Sequence, residues 1–251
     1  MPFISPEIRA SLVAWRRSVL GRRLVGLASV VLLATLPATT PAQDSARNNV
    51  WPDNPLARAE ILALLQGFNA DLLSHDSATL TLERWCAAHA MATPAKVIAQ
   101  RVTGAEKPIP ADLRAQLAIG PDEPLRYRRV QLSCGGHVLS EADNWYVPGH
   151  LTAAMNQQLD TTDTPFGRVV QPLHFRRQTL DATLLWSPLP VGWEMQAPAA
   201  AHDREALRIP HQLLQHRAVL YAADGKPFSA LIETYTEQVL AFPHDLGVVK
   251  P

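Results

Sequence analysis

The order of patterns along this chain predicts an α+β fold, with helices first and a mostly antiparallel sheet after them. Three observations carry that expectation. Ile61, Leu64, Leu65, Phe68 and Leu72 recur at helical spacing behind an Asn54-Pro55 start. Two strand-like segments, Arg126–Cys134 and Val138–Val147, flank Gly135-Gly136, a good hairpin signal. A second pair, His216–Ala222 and Pro227–Leu240, flanks a turn at Asp224-Gly225.

Each element has its own local reason. Asn is a strong N-cap and Pro suits the first helical position, so a helix is expected over Leu56–Leu73. Ser74–Thr79 breaks it, and Thr81–Met91 is a second helical stretch. Lys96–Val102 reads as a strand. Glu106–Pro124 is proline-rich, with room for a helical turn or two at Ala111–Leu117. His150–Leu159 is a short helix after Pro148, and Pro165–Val170 is another candidate, ended by Pro172. Phe175–Leu185 is a strand. Ser187–Arg208 mixes prolines, alanines and charge, and reads as a long surface excursion.

The chain has 251 residues, 47% hydrophobic and 18% charged, a globular balance. Arg9, Arg16, Arg17, Arg22 and Arg23 precede the apolar run Leu24–Leu36, and small residues follow to Ala42. This is the pattern of an export leader cleaved near Ala42, with an uncleaved N-terminal anchor as the alternative. The run falls well short of the roughly 20 residues a spanning helix needs. Arg16-Arg17-Ser18-Val19-Leu20 also fits a twin-arginine leader. The expected organisation is a leader over 1–42, a linker over 43–53 and one domain over 54–251, in the periplasm or secreted. Without the leader the chain carries 18 basic and 22 acidic side chains, with no basic stripe for nucleic acid. No membrane contact beyond the leader is expected, and the domain is expected to be a monomer. Cys86 and Cys134 have the chance to pair outside the cytoplasm; two separate buried thiols are the alternative.

Two charges stand in apolar strands. Arg128 shares a face with Val130 and Leu132, and a guanidinium there needs an anion. That anion is either a protein carboxylate or the carboxylate of a ligand. Glu233, within Leu231–Tyr235, has the complementary need, so the two side chains could simply neutralise each other. The Arg176-Arg177 pair reads as a solvated strand edge. Nine histidines give weak signals; His211 and His216 are five apart, the wrong interval for one helix face. No His-Glu-x-x-His or Cys-x-x-Cys occurs, so no metal is expected. No Gly-x-Ser-x-Gly or glycine-rich phosphate loop occurs either, which argues against the commonest hydrolase and nucleotide-binding designs.

The run Arg128-Arg129-Val130-Gln131-Leu132-Ser133-Cys134-Gly135-Gly136 resembles the central hairpin of chorismate lyase. The strand ending Val147-Pro148 is similar to that family's return strand, and Thr164-Pro165-Phe166-Gly167-Arg168 to its Thr-Pro-Leu-Gly-Arg. Asp224-Gly225-Lys226-Pro227 followed by Glu233 resembles its last hairpin, and Asp76-Ser77-Ala78-Thr79 its Asp-Ser-Met-Thr. The same fold serves as the UTRA effector-binding domain of bacterial regulators. The resemblance runs from about Asp76 to Leu240. It implies a six-stranded antiparallel sheet with helices packed on it and a small buried ligand site. Arg128 would grip a ligand carboxylate and Glu233 would face the ring hydroxyl. The backbones of Ala78 and Phe166 would contact the ligand. Three departures stand out: one extra residue between Gly225 and Glu233, the 187–208 insertion, and the leader.

Three functions follow. A lyase of the chorismate lyase type would convert chorismate to 4-hydroxybenzoate and pyruvate, or act similarly on a small aromatic or cyclic carboxylate, with no metal or organic cofactor. A non-catalytic periplasmic module would bind a small carboxylate. A structural domain would use Arg128 and Glu233 only as an internal ion pair. A ring-sized gap between the two side chains separates the first two readings from the third.

Overall fold

Asn54 and Pro55 start the first helix. The Asn54 side chain accepts the Ala57 N–H at 2.8 Å, and α1 (Pro55–Leu73) buries Ala57, Ile61, Leu65, Phe68 and Leu72 in one stripe. The second helix, α2 (Ala78–Ala88), is capped by Ser77, whose hydroxyl accepts the Leu80 N–H. The computed structural model describes residues 50–104, 106–197 and 202–244. The expected leader lies outside the described residues.

Eight strands follow the chain: β1 (Pro52–Asp53), β2 (Val97–Arg101), β3 (Arg126–Cys134), β4 (His137–Tyr146), β5 (Arg176–Leu184), β6 (His202–Ala206), β7 (Gln212–Tyr221) and β8 (Pro227–Thr236). Six of them form one antiparallel sheet in the order β2-β3-β4-β8-β7-β5, while β1 and β6 make a separate ribbon. Three further helices are α3 (Ala111–Leu117), α4 (Ala153–Thr161) and α5 (Phe166–Val169). The architecture is the expected α+β one, a six-stranded antiparallel sheet with helices packed on it.

One face of the sheet carries two apolar clusters. At one end α1 and α2 pack Ile61, Phe68 and Leu82 with Val130, Leu132 and Tyr235. At the other end α4 and α5 pack Leu159 and Phe166 with Leu220, Phe228 and Leu231. The opposite face is covered by α3, whose Leu113 and Leu117 meet Trp145, Val219 and Ala230. Alternation along each strand sorts the residues between these layers. α2 is also tied sideways: Glu83 pairs with Arg168 of α5 and accepts the Val97 N–H of β2.

The extra residue before Glu233 is absorbed by a bulge. Leu220 pairs with Ser229 but Tyr221 pairs with Pro227, so Phe228 is left over, and it is fully buried. Glu233 thereby keeps its inward face.

Three boundaries differ from expectation. The linker ends early, because Trp51 is buried, donates its indole N–H to Leu240 O at 3.1 Å and stacks on His244. The 187–208 excursion is not wholly irregular: it supplies β6, which pairs with Pro52–Asp53, and Arg58 donates to Pro188 O at 2.6 Å near its base. β7 starts at Gln212 rather than His216, since a register shift lets both Leu213 and Leu214 be buried and breaks the alternation.

Cys86 of α2 and Cys134 of β3 form a disulfide with a Cα–Cα separation of 6.5 Å, which fastens α2 to the sheet. It closes a loop of 48 residues. Loop-closure entropy of that size corresponds to about 4 kcal/mol. The Cys86→Ala/Cys134→Ala variant should therefore lose about that much in urea unfolding, and reductant should shift the unmodified protein but not the variant. Equal midpoints would show that the bond contributes nothing.

Candidate functional site

Between the two apolar clusters lies a cavity. Its floor is the inward face of β3, β4, β8 and β7, and its roof is the start of α2 and of α5. Arg128, Asn144, Arg177 and Glu233 bring charge or polarity to it; Val130, Leu132, Ala142, Phe166, Phe175, Leu220 and Leu231 make its apolar walls. The space is about 40 Å³, against the roughly 10–15 Å³ one water needs on the same measure.

Strand register sets the positions of the charges. Arg128 on β3 stands opposite Asn144 on β4, which stands opposite Leu231 on β8. Glu233 is two residues further along β8, between Ala142 and His216. Arg128 and Glu233 are thus two strands apart, roughly 10 Å at ordinary strand spacing. No ion pair joins them among the described residues.

Glu233 is paired with Arg177 instead. Arg177 Nη2 lies 2.7 Å from Glu233 Oε2, with side-chain exposures of 3% and 8%. The Tyr235 hydroxyl donates to the same oxygen at 3.1 Å. Burial works against the Arg177 charge, but Glu233 outweighs it and the guanidinium is raised above its ordinary value. Burial, and then the Glu233 charge, push the Tyr235 phenol well up. Asp76 also holds the Arg177 backbone, accepting its N–H at 2.8 Å.

This corrects two expectations. Arg128 and Glu233 do not neutralise each other, because the register gives Glu233 a nearer cation. Arg177 is not a solvated edge residue. Successive side chains of β5 point to opposite faces, so one arginine turns each way: Arg176 lies outside over the Tyr221 ring, 4.8 Å to its centroid, and Arg177 turns in beneath the start of α2. Phe175, two residues earlier and buried, carries the signal that marks the inward face.

Arg128 is left without an acidic partner among the described residues. It is 6% exposed. Its Nη2 donates to Thr164 O at 3.3 Å, while Nε and Nη1 are sealed from solvent with no partner. Burial, and then the nearby Arg101 charge, lower its pKa to about 10, so it remains a cation at neutral pH.

Ala78 and Phe166 open α2 and α5 at the cavity roof, where first-turn N–H groups have no intrahelical acceptor. Gly167 lets the two helix starts meet: an added Cβ would lie 3.2 Å from both Ser77 Oγ and Thr79 Oγ1. Arg128, Glu233, Ala78 and Phe166, named from the sequence, therefore surround one space. Cys86 and Cys134 stand apart from it, in the α1–α2 cluster. Arg177 and Asn144 are lining residues that the sequence reading missed.

Behind Glu233, His216 donates its Nε2–H to Asn69 Oδ1, 2.7 Å away, and its Nδ1 is sealed without a partner. Burial lowers its pKa to about 4. Among the described residues no group of three or more His, Cys, Asp or Glu is arranged to hold a metal, and no helix is long and apolar enough to cross a membrane.

An α+β protein with a cavity on one sheet face, holding a buried ion pair and an arginine outside any ion pair, is the class that this geometry defines. The chain is 50% identical over 223 residues to "Uncharacterized protein y4mC" of Sinorhizobium fredii (strain NBRC 101917 / NGR234), covering 88% of this chain and 94% of that protein. It belongs to the y4mC family. No family model matches it. Among solved structures it is similar to the effector domain of PhnF from Mycobacterium smegmatis, at 14% identity and a TM-score of 0.40, covering 64% of this chain and 89% of that one. It is also similar to the possible transcriptional regulator YydK from Bacillus subtilis, at 17% identity and a TM-score of 0.33, covering 55% of this chain. The chain spans 58% of the YydK chain.

Two predictions follow from the buried charges. Arg177→Met should cost about 3–5 kcal/mol in chemical denaturation, because it strands the Glu233 carboxylate; a loss under about 1 kcal/mol, the range of a surface pair, would show that solvent reaches the pair. His216 takes up a proton in the unfolded chain near pH 6.5 but in the folded chain only near pH 4. Its contribution is complete above pH 6.5 and is lost as pH falls toward 4. His216→Gln should flatten that part of the stability profile, and identical slopes in both proteins would contradict it.

Proposed function

We propose that this chain is a non-catalytic binding module for a small carboxylate with an apolar body, seated in the cavity with its carboxylate on Arg128. One observation carries this reading: a buried guanidinium with Nε and Nη1 unpartnered, while the carboxylate that could have neutralised it is held by Arg177. A buried unpaired charge is expensive, and an anionic ligand relieves it. The apolar walls suit a ring or short hydrocarbon. Glu233 at the far end offers an acceptor to a ligand hydroxyl. The leader pattern of residues 1–42 supports a module working outside the cytoplasm.

A second reading, the lyase, is favoured by Arg128 and Glu233 lining one cavity. Calorimetry with 4-hydroxybenzoate, run beside chorismate turnover followed by pyruvate release, tests both. The module reading expects binding without pyruvate. Arg128→Ala should weaken binding about 10–100-fold, the range of a hydrogen bond to a charged group. Arg128→Lys should rescue poorly, since it lacks the planar fork. Pyruvate release that depends on Glu233 would establish the lyase. Binding that survives Arg128→Ala would overturn both readings of the site.

A further inference from the structure

Asn144 is the other polar side chain directly beside Arg128. The two stand opposite each other across β3 and β4, both line the cavity, and Asn144 is 5% exposed. An amide has a donor end and an acceptor end, and the one turned to the cavity decides what it recognises.

Ser229 settles the orientation. It is fully buried on β8, and its Oγ lies 2.5 Å from Asn144 Oδ1. That separation belongs to O–H···O bonds; N–H···O bonds run about 2.7–3.2 Å. The Ser229 hydroxyl therefore donates to Oδ1. Asn144 Nδ2 bonds none of the described residues and is the end left for the cavity.

We propose that Asn144 donates from Nδ2 to the same anionic group that Arg128 holds, and that Ser229 is the positioning residue that keeps the amide in that orientation. The proposal rests on the cavity being a carboxylate site. It adds a specificity rule. With Oδ1 engaged, this wall presents only donors: Nε and Nη1 of Arg128 and the N–H groups of Asn144. An ionised carboxylate, which only accepts, satisfies them. A carboxamide of the same shape turns an N–H toward a donor and leaves it unsatisfied. The site should separate a carboxylate from its amide more sharply than a lone arginine does.

The test compares 4-hydroxybenzoate with 4-hydroxybenzamide by calorimetry and follows the ratio of their affinities. A general folding defect weakens both probes alike and leaves the ratio unmoved. Asn144→Ala should weaken the acid about tenfold and lower the ratio. Asn144→Asp should weaken the acid further and bring the amide level with it or ahead, because an acceptor then faces the ligand. Ser229→Ala should weaken the acid several-fold in the wild-type background and have little further effect alongside Asn144→Ala, since it acts through that residue.

If Arg128→Ala abolishes acid binding while the Asn144 variants keep the wild-type ratio, the carboxylate site stands and the role of Asn144 is overturned. If neither aromatic probe binds the wild type, formate replaces them. The side-chain amide resonance of Asn144, identified by its loss in Asn144→Asp, should then shift saturably with formate in the wild type and not in Arg128→Ala. Formate binding without that shift overturns the Asn144 assignment. No binding of any of the three probes overturns it together with the carboxylate site.

Discussion

The buried Arg177–Glu233 ion pair decides the electrostatics of the whole cavity. Each charge alone would be untenable among apolar neighbours, and together they remove each other's need for water. The pair bridges across β7, from the edge strand β5 to the central strand β8. Glu233 is thereby withdrawn from Arg128, whose guanidinium makes no ion pair with any described residue at the β3 end of the cavity. Strand order sets this separation, because β4 stands between β3 and β8 and keeps Glu233 off Arg128.

The cavity itself follows from packing. Two apolar clusters form on one sheet face because α1 and α2 cover one end of the strands and α4 and α5 the other. The seam between them is closed by the starts of α2 and α5, with Phe175 and Arg177 at the β5 edge beside them. Glycine at 167 permits the close approach of α5 to Ser77 and Thr79. The disulfide from α2 to β3 and the Glu83–Arg168 pair hold the roof in place on either side. Such a seam sets the buried polar side chains Arg128, Asn144 and Glu233 among apolar walls.

Much of this was legible in the sequence, for identifiable reasons. Asn54-Pro55 and the Ile61–Leu72 stripe announce α1, since capping and periodicity are local signals. Arg128 and Glu233 stand out because a single charge in an apolar alternating strand violates the pattern. The one-residue excess before Glu233 called for a bulge or a register shift; that the bulge falls at Phe228 came only from the strand pairing. Other features had no local signature. Arg176 and Arg177 are the same residue type in succession, so which one turned inward depended on β5 extending the Phe175 face. Asn144 lies in Ala142-Asp143-Asn144-Trp145, where adjacent polar residues hide the alternation. β6 and the buried Trp51 depend on a pairing between segments about 150 residues apart, which no window of sequence contains.

If Arg128 holds an anion as proposed, binding and stability are linked in this fold. A desolvated cation with two unmatched donors makes the ligand-free protein less stable than the same fold with an anion in place. A ligand that binds only the folded state stabilises it by RT ln(1 + [L]/Kd), about 2.7 kcal/mol at a hundredfold excess over Kd. The unmatched charge thus works as a selector: water in so small an apolar space solvates a guanidinium poorly, and a protein carboxylate at this position would remove the demand altogether. On the proposed reading, committing Glu233 to Arg177 leaves part of the core to be completed by a molecule from outside, and the donors around Arg128 would set what that molecule must carry.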